Sequence, residues 1–166
     1  LRDLGPTQSP MNAWLTLPVE PELDDTTYAR ALIFSSDKGT SADPGELIIR
    51  LAGWDLYVAA KFHAGIIELP GGNTLEVDTT NGLPLDVTHM VLLRLNEEGG
   101  AITSVDLWLN PDFADEASPD LTVGGLSVDL SAIQQLELRS QNTLTRVDEL
   151  KLAESWAEVV PEKIVV

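Results

Sequence analysis

Val147-Asp148-Glu149-Leu150-Lys151-Leu152-Ala153-Glu154-Ser155-Trp156 decides how this chain folds. Side chains alternate between the two sides of an extended strand, so Asp148, Leu150 and Leu152 share one parity and Val147, Glu149 and Lys151 the other. The segment therefore predicts a strand with an acidic residue on its apolar side. A carboxylate facing a core must be ion-paired, hydrogen-bonded several times or bound to a metal. A short helical piece is expected just beyond, at Ala153–Val159.

The same period of two recurs upstream. Leu15, Leu17 and Val19 alternate after Trp14. Leu47, Ile49 and Leu51 do so next, then Trp54, Leu56 and Val58. Val91, Leu93 and Leu95 follow, then Val105, Leu107 and Leu109, and Leu136 with Leu138. Shorter runs stand at Ala31–Phe34, Gly65–Leu69 and Thr74–Val77. Roughly ten or eleven strands of this kind are the signature of a sandwich or a barrel. Asp43-Pro44-Gly45, Pro70–Asn73, Asn81-Gly82, Glu97–Gly100 and Gly124-Gly125 supply the turn residues between them. A second helical piece is expected around Leu130–Gln134, and Asn110–Asp129 reads as one long acidic loop.

The 166 residues suit one domain, with 161–166 as a linker or edge segment. A core can form at this length without disulfides. The absence of cysteine excludes a disulfide framework, a thiolate metal site and a cysteine nucleophile. Asp and Glu number 27 against 10 Lys and Arg, a net charge of −17. Such a field repels nucleic acid and anionic membranes, and it attracts divalent cations. No run approaches the ~20 apolar residues of a membrane span, so no direct membrane insertion is expected. The start at Leu1, without a signal-peptide layout, reads as a mature or excised segment.

Three segments carry a family resemblance. Trp14-Leu15-Thr16-Leu17 resembles the opening strand of LamG-like domains. Val105-Asp106-Leu107-Trp108-Leu109-Asn110-Pro111 resembles their strand ending in Asn-Pro. Val147–Leu152 with Ser155–Val159 resembles their final Asp-Glu strand and Trp turn. The ensemble looks most like exported bacterial proteins of the PEP-CTERM type, although this chain stops at Val166 without a sorting tail. The resemblance implies an all-β fold, a two-sheet antiparallel sandwich of the concanavalin A-like jelly-roll class, secreted or on the cell surface. It also implies a structural Ca²⁺ near Asp148. Calcium needs six to eight oxygens, and the alternative is an Asp bonded to loop N–H groups at a strand end.

Trp108 is the leading candidate for ligand binding. It lies opposite in parity to Val105, Leu107 and Leu109, with Asp106 and Asn110 beside it to take sugar hydroxyls. Tyr57 joins it by parity, as do Gln135, Glu137 and Arg139. The competing reading is a Trp108 covered by a loop or second layer, since tryptophan is usually largely buried. Trp14, Trp54 and Trp156 read as core anchors, and His63 and His89 as isolated structural or surface residues. Asp112, Asp115, Glu116 and Asp120 lack EF-hand spacing and read as a solvated loop.

Hydrolysis on this fold needs facing carboxylates, about 5–5.5 Å apart in retaining glycosidases. Glu20 to Asp24 is broken by Pro18 and Pro21, and a strand end separates Glu149 from Glu154. A Gly-x-Ser-x-Gly elbow is absent. The sequence thus points to a non-catalytic module whose partner is an extracellular polysaccharide or surface glycan. The second class is a structural or adhesive module contacting a matrix or cell-surface protein, and the third a glycoside hydrolase.

Overall fold

The computed structural model of the chain describes residues 2–3, 13–18, 26–36, 46–51, 57–61, 66–69, 73–76, 84–129, 135–141 and 145–160. Among them the strands are β1 (Arg2–Asp3), β2 (Ala13–Pro18), β3 (Thr26–Ser35), β4 (Glu46–Leu51), β5 (Tyr57–Lys61) and β6 (Ile66–Leu69). They continue with β7 (Asn73–Glu76), β8 (Thr88–Glu98), β9 (Ala101–Leu109), β10 (Leu121–Asp129), β11 (Gln135–Gln141) and β12 (Thr145–Ala153). A 3₁₀ turn spans Phe113–Ala117, and a single helical turn, α1, spans Trp156–Val159. Sheet I runs β1-β12-β3-β8-β9-β10 and sheet II runs β2-β11-β4-β5-β6-β7, with antiparallel pairing throughout. The fold is the two-sheet antiparallel β-sandwich of concanavalin A-like jelly-roll type.

Register explains which residues are buried in sheet I. Ala29, Leu93, Leu107 and Leu121 stand side by side across four strands, and so do Thr27, Leu95, Val105 and Val123. These rows make the apolar inner face, where Ala31, Ile33, Val91 and Leu107 are almost wholly buried. Each of the larger side chains, Ile33, Val91 and Leu107, contributes roughly 1.5–3 kcal/mol when removed from water. The β8–β9 turn closes on Gly99 and Gly100 at φ +66° and +86°, a left-handed backbone that glycine adopts without steric cost.

The opposite face of sheet I is covered as well. Tyr28, Leu92, Trp108, Trp156, Val159 and Val160 form a second small core beneath α1. Trp156 packs edge-on against Trp108, centroids 5.0 Å apart, and against Tyr28 at 6.0 Å. Its indole N–H donates to the Phe113 carbonyl at 2.8 Å, which fastens α1 to the 3₁₀ turn. Arg30 donates to the Val159 carbonyl at 2.7 Å and pairs with Glu149 at 2.7 Å, pinning the other end of α1 to β3 and β12.

Two local expectations change. The stretch Asn110–Asp129 is not one loop, because Leu121–Asp129 is the edge strand β10. Gly124-Gly125, read as a breaker, sits where a bulge shifts the register before Val128, with Gly125 at φ +74°. In β12 the register shifts between Asp148 and Lys151, with Glu149 at φ +48°. The expected helical piece at Leu130–Gln134 lies outside the described residues, whereas Ala153–Val159 does end in a helical turn.

Candidate functional site

The structure places the leading sequence candidates in a structural network rather than on an open face. Trp108 is 1% exposed. Its indole N–H donates to the Asp115 carbonyl at 2.9 Å, and the Arg94 guanidinium lies 5.2 Å from its ring centroid. Parity put Trp108 on the face away from the inner core, correctly, but the 3₁₀ turn and α1 cover that face. Stacking of Trp108 on a sugar ring is therefore corrected to packing beneath α1. A signal of this lay in Val91-Leu92-Leu93, a continuous apolar run of the kind found in strands buried on both faces.

Asp106 is likewise committed within the protein. It is 4% exposed and accepts from Arg94 Nε at 2.9 Å, Arg94 Nη2 at 2.7 Å, Asn96 Nδ2 at 2.8 Å and the Thr122 hydroxyl. Burial alone would raise its pKa. The hydrogen bonds from Thr122, Asn96 and Arg94, with the Arg94 charge, outweigh that and hold the carboxyl below its usual value. Asn110 is exposed, but its backbone has φ +53° and its amide is engaged. Oδ1 accepts from the Met90 N–H at 2.8 Å and Nδ2 donates to His89 Nδ1 at 3.2 Å. His89 is buried and uses Nε2 toward the Pro84 carbonyl at 2.9 Å, a structural histidine as the sequence suggested. His63 lies outside the described residues.

Asp148 does not share the parity of Leu152, because the bulge intervenes. Asp148 stands opposite Leu32 and Lys151 opposite Arg30, so both share the face beneath α1, whereas Leu152 stands opposite Ala29. Asp148 is half-buried, and its Oδ1 accepts from the Glu149 N–H at 2.7 Å. Among the described residues no group of three or more His, Cys, Asp or Glu is placed to hold a metal. Calcium takes six to eight oxygens, backbone carbonyls included, and dialysis against EDTA tests the Ca²⁺ expected near Asp148. A fall in melting temperature of several degrees, restored by Ca²⁺, would establish the site, and an unchanged value would remove it.

The acidic loop proves to be a set of internal acceptors. Asp115 Oδ2 takes the Asp112 N–H at 2.7 Å, Asp120 Oδ2 takes the Leu109 N–H at 2.8 Å, and Glu116 Oε1 takes the Tyr28 hydroxyl at 2.9 Å. These bonds shape the 3₁₀ turn that roofs Trp108.

An open trough of about 480 Å³ lies beside that roof, lined by Thr26, Tyr28, Phe113, Glu116, Glu154 and Ser155, with Trp156 and Ala157. Phe113 is 41% exposed at its edge. Burial pushes the Tyr28 phenol up; the Arg94 guanidinium works against this and the Glu116 carboxylate adds to it, with a net rise. Tyr28 therefore stays protonated and donates. Sequence reasoning missed the trough because Tyr28, Phe113 and Trp156 lie far apart in the chain and meet only through α1. Of the carboxylates weighed as a hydrolytic pair, Glu149 is held by Arg30 while Glu154 lines the trough. Glu20 to Asp24 lies outside the described residues.

Sheet II is described at the level of its register. Tyr57 pairs with Arg50, Arg50 with Glu137, and Glu137 with Thr16, one row across β5, β4, β11 and β2. Arg139 pairs with Trp14 in the adjacent row of the same face, and Gln135 pairs with Pro18. Leu136, Leu138, Ile49, Leu51 and Val58 occupy the other parity. Tyr57, Gln135, Glu137 and Arg139 thus share one sheet face, while Trp108 belongs to sheet I. The side chains of Tyr57, Gln135, Glu137, Arg139, Trp14 and the residue Trp54 lie outside what the structure describes.

No protein-family model matches the chain, and no curated protein sequence matches it. Its structure is similar to that of the alginate lyase vAL-1 from a Chlorella virus, with 10% identity over 86% of this chain and 76% of the lyase at a TM-score of 0.50. A galectin of Caenorhabditis elegans aligns at 12% identity over 84% of this chain and 92% of its own, TM-score 0.46. A carbohydrate binding module from Bacillus subtilis aligns at 13% identity over 90% and 100% of the two chains, TM-score 0.46. At 10% identity the likeness to the lyase is one of fold alone.

Proposed function

We propose that this chain is a non-catalytic binding module, acting outside the cell or on its surface, whose ligand is a glycan. The observation that carries the reading is the row Tyr57, Arg50, Glu137 and Thr16 across one face of sheet II. Register thus brings Tyr, Arg, Glu and Thr, residue types that saccharide sites draw on, to one row of one sheet face. An aromatic ring can offer an apolar surface to a pyranose face. Charged donors and acceptors make the stronger hydrogen bonds to hydroxyl groups. The fold by itself hosts many activities and does not choose among them.

A glycan array probed with and without Ca²⁺ tests this. The protein is expected to bind a subset of saccharides, to recover them uncleaved, and to lose at least about tenfold in affinity in Tyr57→Ala, the loss of one well-placed contact. The melting temperature of that variant should match wild type. Absence of binding in both conditions overturns the reading, and cleavage of a bound oligosaccharide overturns its non-catalytic part. The second reading, an adhesive module contacting a protein, is favoured by the burial of Trp108, which removes an aromatic platform from sheet I.

A further inference from the structure

We infer that the trough beside α1 is a separate binding site for a sugar ring carrying a protonated amine. The inference rests on the glycan reading for its class of ligand, but it uses the other sheet and different residues.

The shape and the lining agree. Phe113 is 41% exposed at the trough edge, Tyr28 and Trp156 form its buried wall, and Thr26, Ser155, Glu116 and Glu154 supply oxygens. A pyranose has the same division, with apolar C–H faces and a polar rim. A ring can lie against Phe113 while its substituents reach the oxygens.

Charge then selects among sugars. Among the described residues two carboxylates line the trough and neither Lys nor Arg does. The chain as a whole carries −17, so the surrounding field has the same sign. Uronates and sulfated sugars are repelled, and a neutral sugar gains nothing from the carboxylates beyond ordinary hydrogen bonds. A protonated amine gains a charge-assisted bond to Glu154 or Glu116 and cation–π attraction from the exposed ring. The Tyr28 hydroxyl donates to Glu116 Oε1, which orients that carboxylate and keeps it an acceptor.

The test is calorimetric titration of the whole chain with a fully deacetylated glucosamine hexamer and with the N-acetylated hexamer of equal length. The deacetylated hexamer should bind at least about tenfold more tightly, as a charged hydrogen bond would confer. Glu154→Gln and Phe113→Ala should each lose about tenfold of that affinity. Glu98→Gln removes the same charge from the exposed end of β8 and should change nothing. Equal affinity for the two hexamers overturns the inference, as does an equal loss in Glu98→Gln, which would mean bulk attraction. If Tyr57→Ala abolishes hexamer binding while Phe113→Ala spares it, the trough site falls and the sheet II reading stands. If Tyr57→Ala leaves the neutral glycans of the array unaffected while the trough variants lose the deacetylated hexamer, the trough stands and the sheet II site falls.

Discussion

Trp108→Ala should destabilise the protein by about 3–5 kcal/mol, the range for removing a fully buried large aromatic. For a domain of this size that lowers the melting temperature by roughly 6–20 °C. The expectation follows from what the indole holds together. It sits between Leu92 and Trp156 in the small core, carries Arg94 against its face and anchors the 3₁₀ turn through the Asp115 carbonyl. Removing it leaves a cavity under α1 and takes one of two donors from the Asp115 carbonyl, which then keeps only the Ser118 N–H. Trp108→Phe retains much of the apolar volume but loses the N–H, and should cost only about 1–3 kcal/mol. Thermal unfolding followed by tryptophan fluorescence and circular dichroism checks both. A Trp108→Ala protein melting within about 2 °C of wild type would mean that α1 does not seal this face.

Asp106→Ala should be comparably damaging, by about 3–5 kcal/mol, because it leaves Arg94 without its ion-pair partner against the sheet. Asn96 and Thr122 lose an acceptor in the same step. Asp106→Asn retains the shape and removes the charge, so its effect isolates the electrostatics. The folded-state pKa of Asp106 lies below the ordinary value, near 3.9 in unfolded chains. A depressed carboxylate contributes stability that is complete above the unfolded pKa and is lost as pH falls through the folded one. The gap in melting temperature between wild type and Asp106→Asn should therefore be constant near neutral pH and narrow below about pH 4. A gap that stays constant into the acid range would show that packing, not charge, explains the substitution.

Much of the architecture was readable from residue order. Strict alternation at Leu15–Leu17, Leu47–Leu51 and Leu136–Leu138 marked strands of sheet II, and Val91–Leu95 with Val105–Leu109 marked the centre of sheet I. Alternation reports only that two sides differ, so it separated Trp108 from Leu107 without revealing that both sides are covered. The edge strand β10 escaped notice because a Gly-Gly bulge interrupts its pattern and only Val123 and Val128 are buried. Asp148 was assigned to the wrong face for a related reason. One inserted residue in a strand reverses the parity of everything beyond it, and a bulge has no periodic signature when the residues around it are charged.

The linear order of residues by itself determined the fold class, because a period of two punctuated by Gly, Pro and Asn turns leaves an extended chain few ways to bury its apolar side. It also determined the chemical character of the surface, since a charge of −17 needs no structure to act at long range. Tertiary structure alone decided which aromatic groups remain available. Trp108 is withdrawn by a turn that arrives from the far end of the chain, and Phe113, unremarkable in sequence, is left at the rim of a trough. The physical reason is that exposure belongs to the packing of distant segments, here Trp156 against Trp108 and Arg30 against Val159, and local periodicity carries no information about which segments meet.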